Sequence, residues 1–157
     1  MKAEPKPEDL VALIDHREKI ALDLSPLQME FASLPTGDYT VQGLEDIVSI
    51  ERKSLPDLLM CVGRERVRFD KEMQRILAYP VRALVVESTW EEIERGEWRS
   101  KVSPAAVIGS LLGWQAKGVP VLLAGDHERA GRFVSRMLFI AARRRWREAR
   151  ELVKGAG

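Results

Sequence analysis

A chain of 157 residues, 45% hydrophobic and 31% charged, is long enough to bury a core and too apolar for a disordered tail or a fibrous repeat. Lys and Arg number 25 against 24 Asp and Glu, so net charge does not mark a nucleic-acid binder, and any such signal must lie in how the charge is distributed. The single cysteine excludes a disulfide framework and a cysteine-based zinc site, and no apolar run reaches membrane-spanning length. The first nine residues hold no apolar secretory core, so cytoplasmic placement is expected, with nucleoid association or a phage origin both open.

Residues 1–8 are polar, contain Pro5 and Pro7, and read as loose. Leu10 to Ile14 is a short buried strand that runs into Asp15-His16-Arg17-Glu18, charges that mark either an exit to solvent or a site. Lys19 to Pro26 is a connection. Gln28 to Leu34 alternates loosely as a second strand, which Pro35-Thr36-Gly37 breaks.

Val41 and the run Ile47 to Ile50 favour strands, with turn chemistry between them in Gly43-Leu44-Glu45-Asp46. Side chains two apart on a strand share a face, about 6.6 Å apart. Glu51 and Lys53 therefore point the same way and Arg52 the other, where a structural ion pair is at least as natural as a DNA contact. Antiparallel pairing of the two strands brings Asp38 alongside. Two carboxylates and an ammonium at strand ends suit a hard divalent cation and a phosphate.

Ser54 and Pro56 open a helix with the apolar stripe Leu55, Leu58, Leu59 and Val62, in which Cys61 is a small, unreactive residue. Asp57 either caps this helix or joins the chemistry, and the two roles are compatible. Gly63 interrupts it. Phe69, Met73, Ile76 and Leu77 repeat at helical spacing. Arg68 and Glu72 fit an i,i+4 pair on that helix, while Arg64 and Arg68 are candidates for phosphate contact.

Val81 to Glu87 is apolar nearly throughout, as in a strand covered on both faces. Ser88-Thr89-Trp90-Glu91 reads as a capping box opening a short helix that Gly96 closes. Ser103-Pro104 starts another helix, running to about Lys117, whose Gly109 and Gly113 permit close helix packing. Val119 to Ala124 is a further strand. Asp126 caps a last helix reaching toward Val153, with a basic stretch from Arg143 to Lys154 that is either a DNA contact or a solvated end. Trp90, Trp98 and Trp114 read as core or interface anchors. His16 is expected off the site and His127 exposed.

Gly37-Asp38 followed by Glu51-Arg52-Lys53 and Asp57 resembles the nuclease motif of the XPF family of structure-specific endonucleases. Ile14-Asp15-His16-Arg17-Glu18 resembles that family's upstream element. Arg64, Phe69 and Arg75 stand where members carry basic and aromatic residues, and Ala83 to Glu87 resembles the next core strand. The likeness is ordered and spans about Leu10 to Glu87.

It implies an α/β fold of the restriction-endonuclease-like type: a three-layer sandwich whose central mixed sheet contains an antiparallel hairpin, with flanking helices. One nuclease domain over 1–157 is expected, its core at 10–87, followed by a further strand and helices at 88–157. The implied chemistry is magnesium-dependent hydrolysis of DNA phosphodiesters, with manganese as a substitute. Asp38, Glu51 and Asp15 would hold metal, Lys53 and Asp57 would complete the catalytic set, and Glu18 would support it. Arg17, Arg52, Arg64 and Arg68 would bind DNA.

Family resemblance also implies a homodimer, and no small-molecule cofactor is evident. Members usually add a helix-hairpin-helix module, of which no paired-glycine signature follows the last strand here. The alternative is an inactive DNA-binding or scaffold module of the same fold. Such copies usually lose a carboxylate or the lysine, and here Asp15, Asp38, Glu51, Lys53 and Asp57 are all present.

Overall fold

The computed structural model describes residues 3–156. Six strands form one mixed sheet: β1 (Val11–Asp15), β2 (Gln28–Ala32), β3 (Tyr39–Val41), β4 (Val48–Ser54), β5 (Val81–Glu87) and β6 (Val121–Leu123), in spatial order β2-β1-β3-β4-β5-β6. The pairs β1–β2, β4–β5 and β5–β6 are parallel, and β1–β3 and β3–β4 antiparallel. The hairpin expected between Asp38 and Glu51 is thus present, with Tyr39 opposite Ile50.

Helices α1 (Leu55–Val62), α2 (Arg66–Ile76), α3 (Trp90–Arg95) and α4 (Pro104–Ala116) cover one face, and α5 (His127–Ala156) the other. The alternation of β5 shows why both layers form. Ala83 and Val85 join the core beneath α5, with Val134 and Leu138, whereas Leu84 and Val86 join Phe69, Leu111 and Trp114 on the opposite side. Strand β4 obeys the same rule. Val48 and Ile50 face α5, so Arg52 does too, and Ser49, Glu51 and Lys53 face α1 and α2.

Local signals set most boundaries. Ser54 accepts the Asp57 amide at 3.3 Å and Ser103 the Ala106 amide at 3.1 Å, each followed by a proline in the first turn. Asp126 accepts the Arg129 amide at 2.7 Å as α5 begins. Helix α3 starts one residue later than the sequence pattern indicates: its cap is Thr89, bonded to Glu92, and Gly96 closes it in the left-handed conformation.

Four other details depart from expectation. Pro7–Asp9 forms a 3-10 turn, tied by the Lys6 amide to the Asp9 carboxylate, and Glu4 pairs with Arg147 at 2.7 Å, so the leading segment from residue 4 is anchored rather than loose; Met1 and Lys2 lie outside the described residues. Gly109 and Gly113 do not support helix packing, since a Cβ at either would meet nothing within 4 Å. Arg68 pairs with Glu65 at 3.0 Å, not with Glu72. His127 does not simply face solvent, because its Nδ1 lies 2.7 Å from Glu87 Oε1. The close approach in this fold lies at Gly131 of α5, where a side chain would strike the Asp23 carbonyl, with Ser135 next along the helix donating to the Leu24 carbonyl at 2.9 Å.

Candidate active site

Gly37 makes the turn that admits Asp38. Its φ is +76°, and a Cβ there would collide with the Ser49 hydroxyl, so the chain crosses β4 where only glycine fits. The Asp38 amide then donates to the Ile50 carbonyl and the Asp15 amide to the Asp38 carbonyl, both at 2.8 Å. These bonds place Asp38 beside Glu51 at the centre of the sheet. The amide of Arg52 donates to the Asp38 carboxylate at 2.8 Å, and Lys53 Nζ stands 3.3 Å from Glu51 Oε1. The Lys53 ammonium also lies over the Phe69 ring, 5.2 Å from its centroid.

The electrostatics follow from burial. Desolvation, reinforced by the Glu18 charge, pushes the Asp38 carboxyl up to about 6. Burial and the Asp38 charge raise Glu51 well above the ordinary carboxylate range. Burial acts to lower Lys53, but Glu51, Cys61 and Asp38 more than offset it, so the amine is held above its usual value and is an ammonium at neutral pH. The burial that raises these carboxylates lifts Cys61 to about 11, and its thiol is inert.

These groups line a cleft of about 340 Å³ that also takes in Asp57 from α1, and Glu72 and Arg75 from α2, with Arg17 and Arg68 among its walls. Two crowded, desolvated carboxylates with a single neighbouring ammonium fit a hard divalent cation. Among the described residues no three His, Cys, Asp or Glu side chains converge to enclose an ion by themselves.

The structure brings Asp38, Glu51, Lys53 and Asp57 together, but not Asp15. The Asp15 carboxylate accepts the Arg17 amide and Nε at 2.9 and 2.7 Å and the Leu34 amide at 2.8 Å, which closes the loop behind the cleft. Burial acts to raise its pKa, yet the bonds from Arg17 and Leu34 prevail and hold it below the usual value. A carboxylate depressed on folding stabilises above its unfolded pKa, so this contribution is present above about pH 4 and fades as pH falls through the folded value. Asp15→Ala should cost about 2–3 kcal/mol, chiefly by stranding the Leu34 amide, and should flatten the acid limb of stability below about pH 4 in urea titrations.

Arg52 is likewise engaged within the protein. Its Nε is 2.8 Å from Glu18 and its Nη1 2.7 Å from Glu87, with the Arg52 side chain only 10% exposed. Glu18 also accepts the Tyr39 hydroxyl, which in turn accepts the Leu22 amide at 2.9 Å. Glu18 therefore supports the site through Arg52 and Tyr39. Arg64 lies outside the cleft, on the other side of α1. Glu72 is the acidic residue of the cleft lining that sequence reasoning passed over. Its signal was present, since Arg68, Glu72 and Arg75 share one helical stripe at i, i+4 and i+7.

The family model of the ERCC4 domain matches residues 14–137. The chain belongs to the ERCC4 domain family. The matched span runs from the end of β1 into α5 and takes in β2 to β6 and the cleft. Among solved structures, XPF from Aeropyrum pernix superposes with a TM-score of 0.68 at 17% identity, covering 83% of this chain and 61% of that one. XPF from Aeropyrum pernix in complex with DNA gives 0.60 at 18% identity, covering 89% and 66%. At that identity the likeness is one of fold, and this ERCC4 domain spans less than two thirds of either chain. No curated protein matches.

Proposed function

We propose that this ERCC4 domain is a divalent-metal-dependent DNA endonuclease acting on branched substrates such as forks or flaps. The observation that carries the reading is the convergence of Asp38, Glu51 and Lys53 on one cleft, with two buried carboxylates raised in pKa beside a protonated amine. Asp38 and Glu51 would hold magnesium or manganese, with Asp57 and Glu72 as further acids in the lining of the same cleft. A bound cation would supply the Lewis acidity that polarises the scissile phosphate and acidifies water.

The remaining work belongs to this chain. Lys53, an ammonium fixed by Glu51 and the Phe69 ring, donates to the phosphate oxygens on which charge builds. Arg17, Arg68 and Arg75 at the cleft walls hold neighbouring phosphates. The Arg52 amide keeps one Asp38 oxygen in place, so Asp38 presents the other to the cleft. The DNA-bound relative of the same fold supports this reading, as does family membership. A homodimer and a role in repair or recombination in the cytoplasm belong to the same proposal.

The test is cleavage of end-labelled fork, flap and linear duplex DNA with magnesium, with manganese and with chelator. Cutting near the branch is expected, supported by either metal and abolished by chelator. Lys53→Ala should lower the rate by about 10²–10³-fold with little change in DNA affinity. Metal-independent cutting, or full activity in Lys53→Ala, would overturn the assignment.

A further inference from the structure

Helix α1 has two working sides. One presents Asp57 to the catalytic cleft, and the other lines a separate hollow of about 630 Å³ between α1 and the loop joining α3 to α4. The floor of this hollow is apolar: Leu55, Pro56, Leu59, Met60 and Trp98. Met60 is 38% exposed there, a large apolar side chain left facing solvent. The indole nitrogen of Trp98 donates to the Val102 carbonyl at 2.7 Å, which fixes a half-buried ring that packs in part on the core and in part lines the hollow.

Arg64 and Arg99 stand at the rim, both exposed, and neither takes part in an ion pair or a side-chain hydrogen bond among the described residues. The one acid in the lining, Glu97, faces Arg95 at 3.7 Å, so the rim keeps a positive balance. A hollow of this size falls within the range of small-ligand sites. Phosphates alone would need no apolar floor, and an apolar ligand alone would need no pair of unpaired guanidinium groups. An apolar, aromatic floor edged by arginines is the chemistry of single-stranded nucleic acid, where bases stack and the backbone is held electrostatically.

The geometry points to this hollow as a binding site for an unpaired nucleotide of a single-stranded DNA arm, its base against Met60 and Trp98 and its phosphates against Arg64 and Arg99. This rests on the nuclease reading above and deepens it. The hollow and the cleft share α1, so a strand that leaves the duplex at the cleft has one helix to cross before its first free base finds the floor. An enzyme so built senses a branch by holding what is unpaired, at a fixed distance from the cut.

Fluorescence anisotropy of the full chain in magnesium-free buffer tests this. The probes are a labelled oligothymidine, an abasic strand with the same number of phosphates, and a duplex. The wild type should bind oligothymidine about tenfold more tightly than the abasic strand. Met60→Glu should bring the two within about twofold of each other. Arg99→Ser should weaken both strands equally. Thermal melting checks that each variant is folded, and quenching of tryptophan emission by oligothymidine should be lost in Trp98→Phe. Equal wild-type affinity for thymidine and abasic strands, or a preference that survives Met60→Glu, would overturn the base site while leaving the nuclease reading intact. Failure of the wild type to bind any of the three probes would overturn both.

Discussion

Asp38→Asn should make the metal-free protein more stable and the enzyme nearly inert. A carboxylate whose pKa rises on folding destabilises the fold once it ionises. For Asp38 the cost begins near the ordinary value of 3.8, grows as pH rises, and is complete above about 6. At pH 7.5 an Asn keeps the bond from the Arg52 amide and removes the charge beside Glu51. The expected gain is roughly 2–3 kcal/mol, or about 5 °C or more in melting temperature for a chain of this size. The gain should shrink toward zero as pH is lowered to 4.

Magnesium reverses the comparison. If Asp38 and Glu51 hold the ion as proposed, wild-type protein should melt higher with increasing metal, since a site built by the fold binds only the folded state, and the variant should respond far less. Its cleavage rate should fall by about 10³-fold, roughly 4 kcal/mol of transition-state stabilisation. Calorimetry in chelator and in magnesium, at pH 4.5, 6 and 7.5, provides the readout. A variant less stable than wild type at every pH would mean that Asp38 is not a desolvated, repelled carboxylate.

Arg52→Ala should have the largest effect on stability, about 3–5 kcal/mol. Removing the guanidinium leaves Glu18 with the Tyr39 hydroxyl and Glu87 with His127 as their remaining partners, and their side chains are only 9% and 11% exposed. Burial acts against the Arg52 charge, but the two carboxylates prevail and hold it above its usual pKa, so the pairing is fully present at neutral pH. The triple variant Arg52→Met, Glu18→Gln, Glu87→Gln should recover most of the loss, since it removes the stranded charges along with their partner. The triple variant should also keep DNA affinity within about twofold of wild type, because the Arg52 guanidinium, at the edge of the cleft, is already bound by Glu18 and Glu87. A stable Arg52→Ala protein with specifically weakened DNA binding would return Arg52 to the DNA contacts.

The two neighbours on β4 show how far sequence reaches. Alternation alone put Glu51 and Lys53 on one face and Arg52 on the other, because a strand has period two whatever surrounds it. It also raised a structural ion pair as a role for Arg52, without naming Glu18 and Glu87, which are distant in the chain and meet it only through β1 and β5. Asp15 shows the converse. Its place at the end of a buried strand was legible, but its oxygens are spent on Arg17 and the Leu34 amide, and loop closure of that kind has no local pattern. Arg64 and Gly109 make the same point for helices: spacing tells which residues share a face, not what that face meets.

Element order, strand faces, the caps at Ser54 and Ser103, and the pairing of Asp38 with the Glu51 strand were determined by the chain itself, through short-range sterics and hydrogen bonding. Packing alone decided that His127 and Arg52 share Glu87 and that Arg64 stands over a second hollow. Those outcomes depend on which helix face settles on which side of the sheet, a choice made by contacts between residues tens of positions apart.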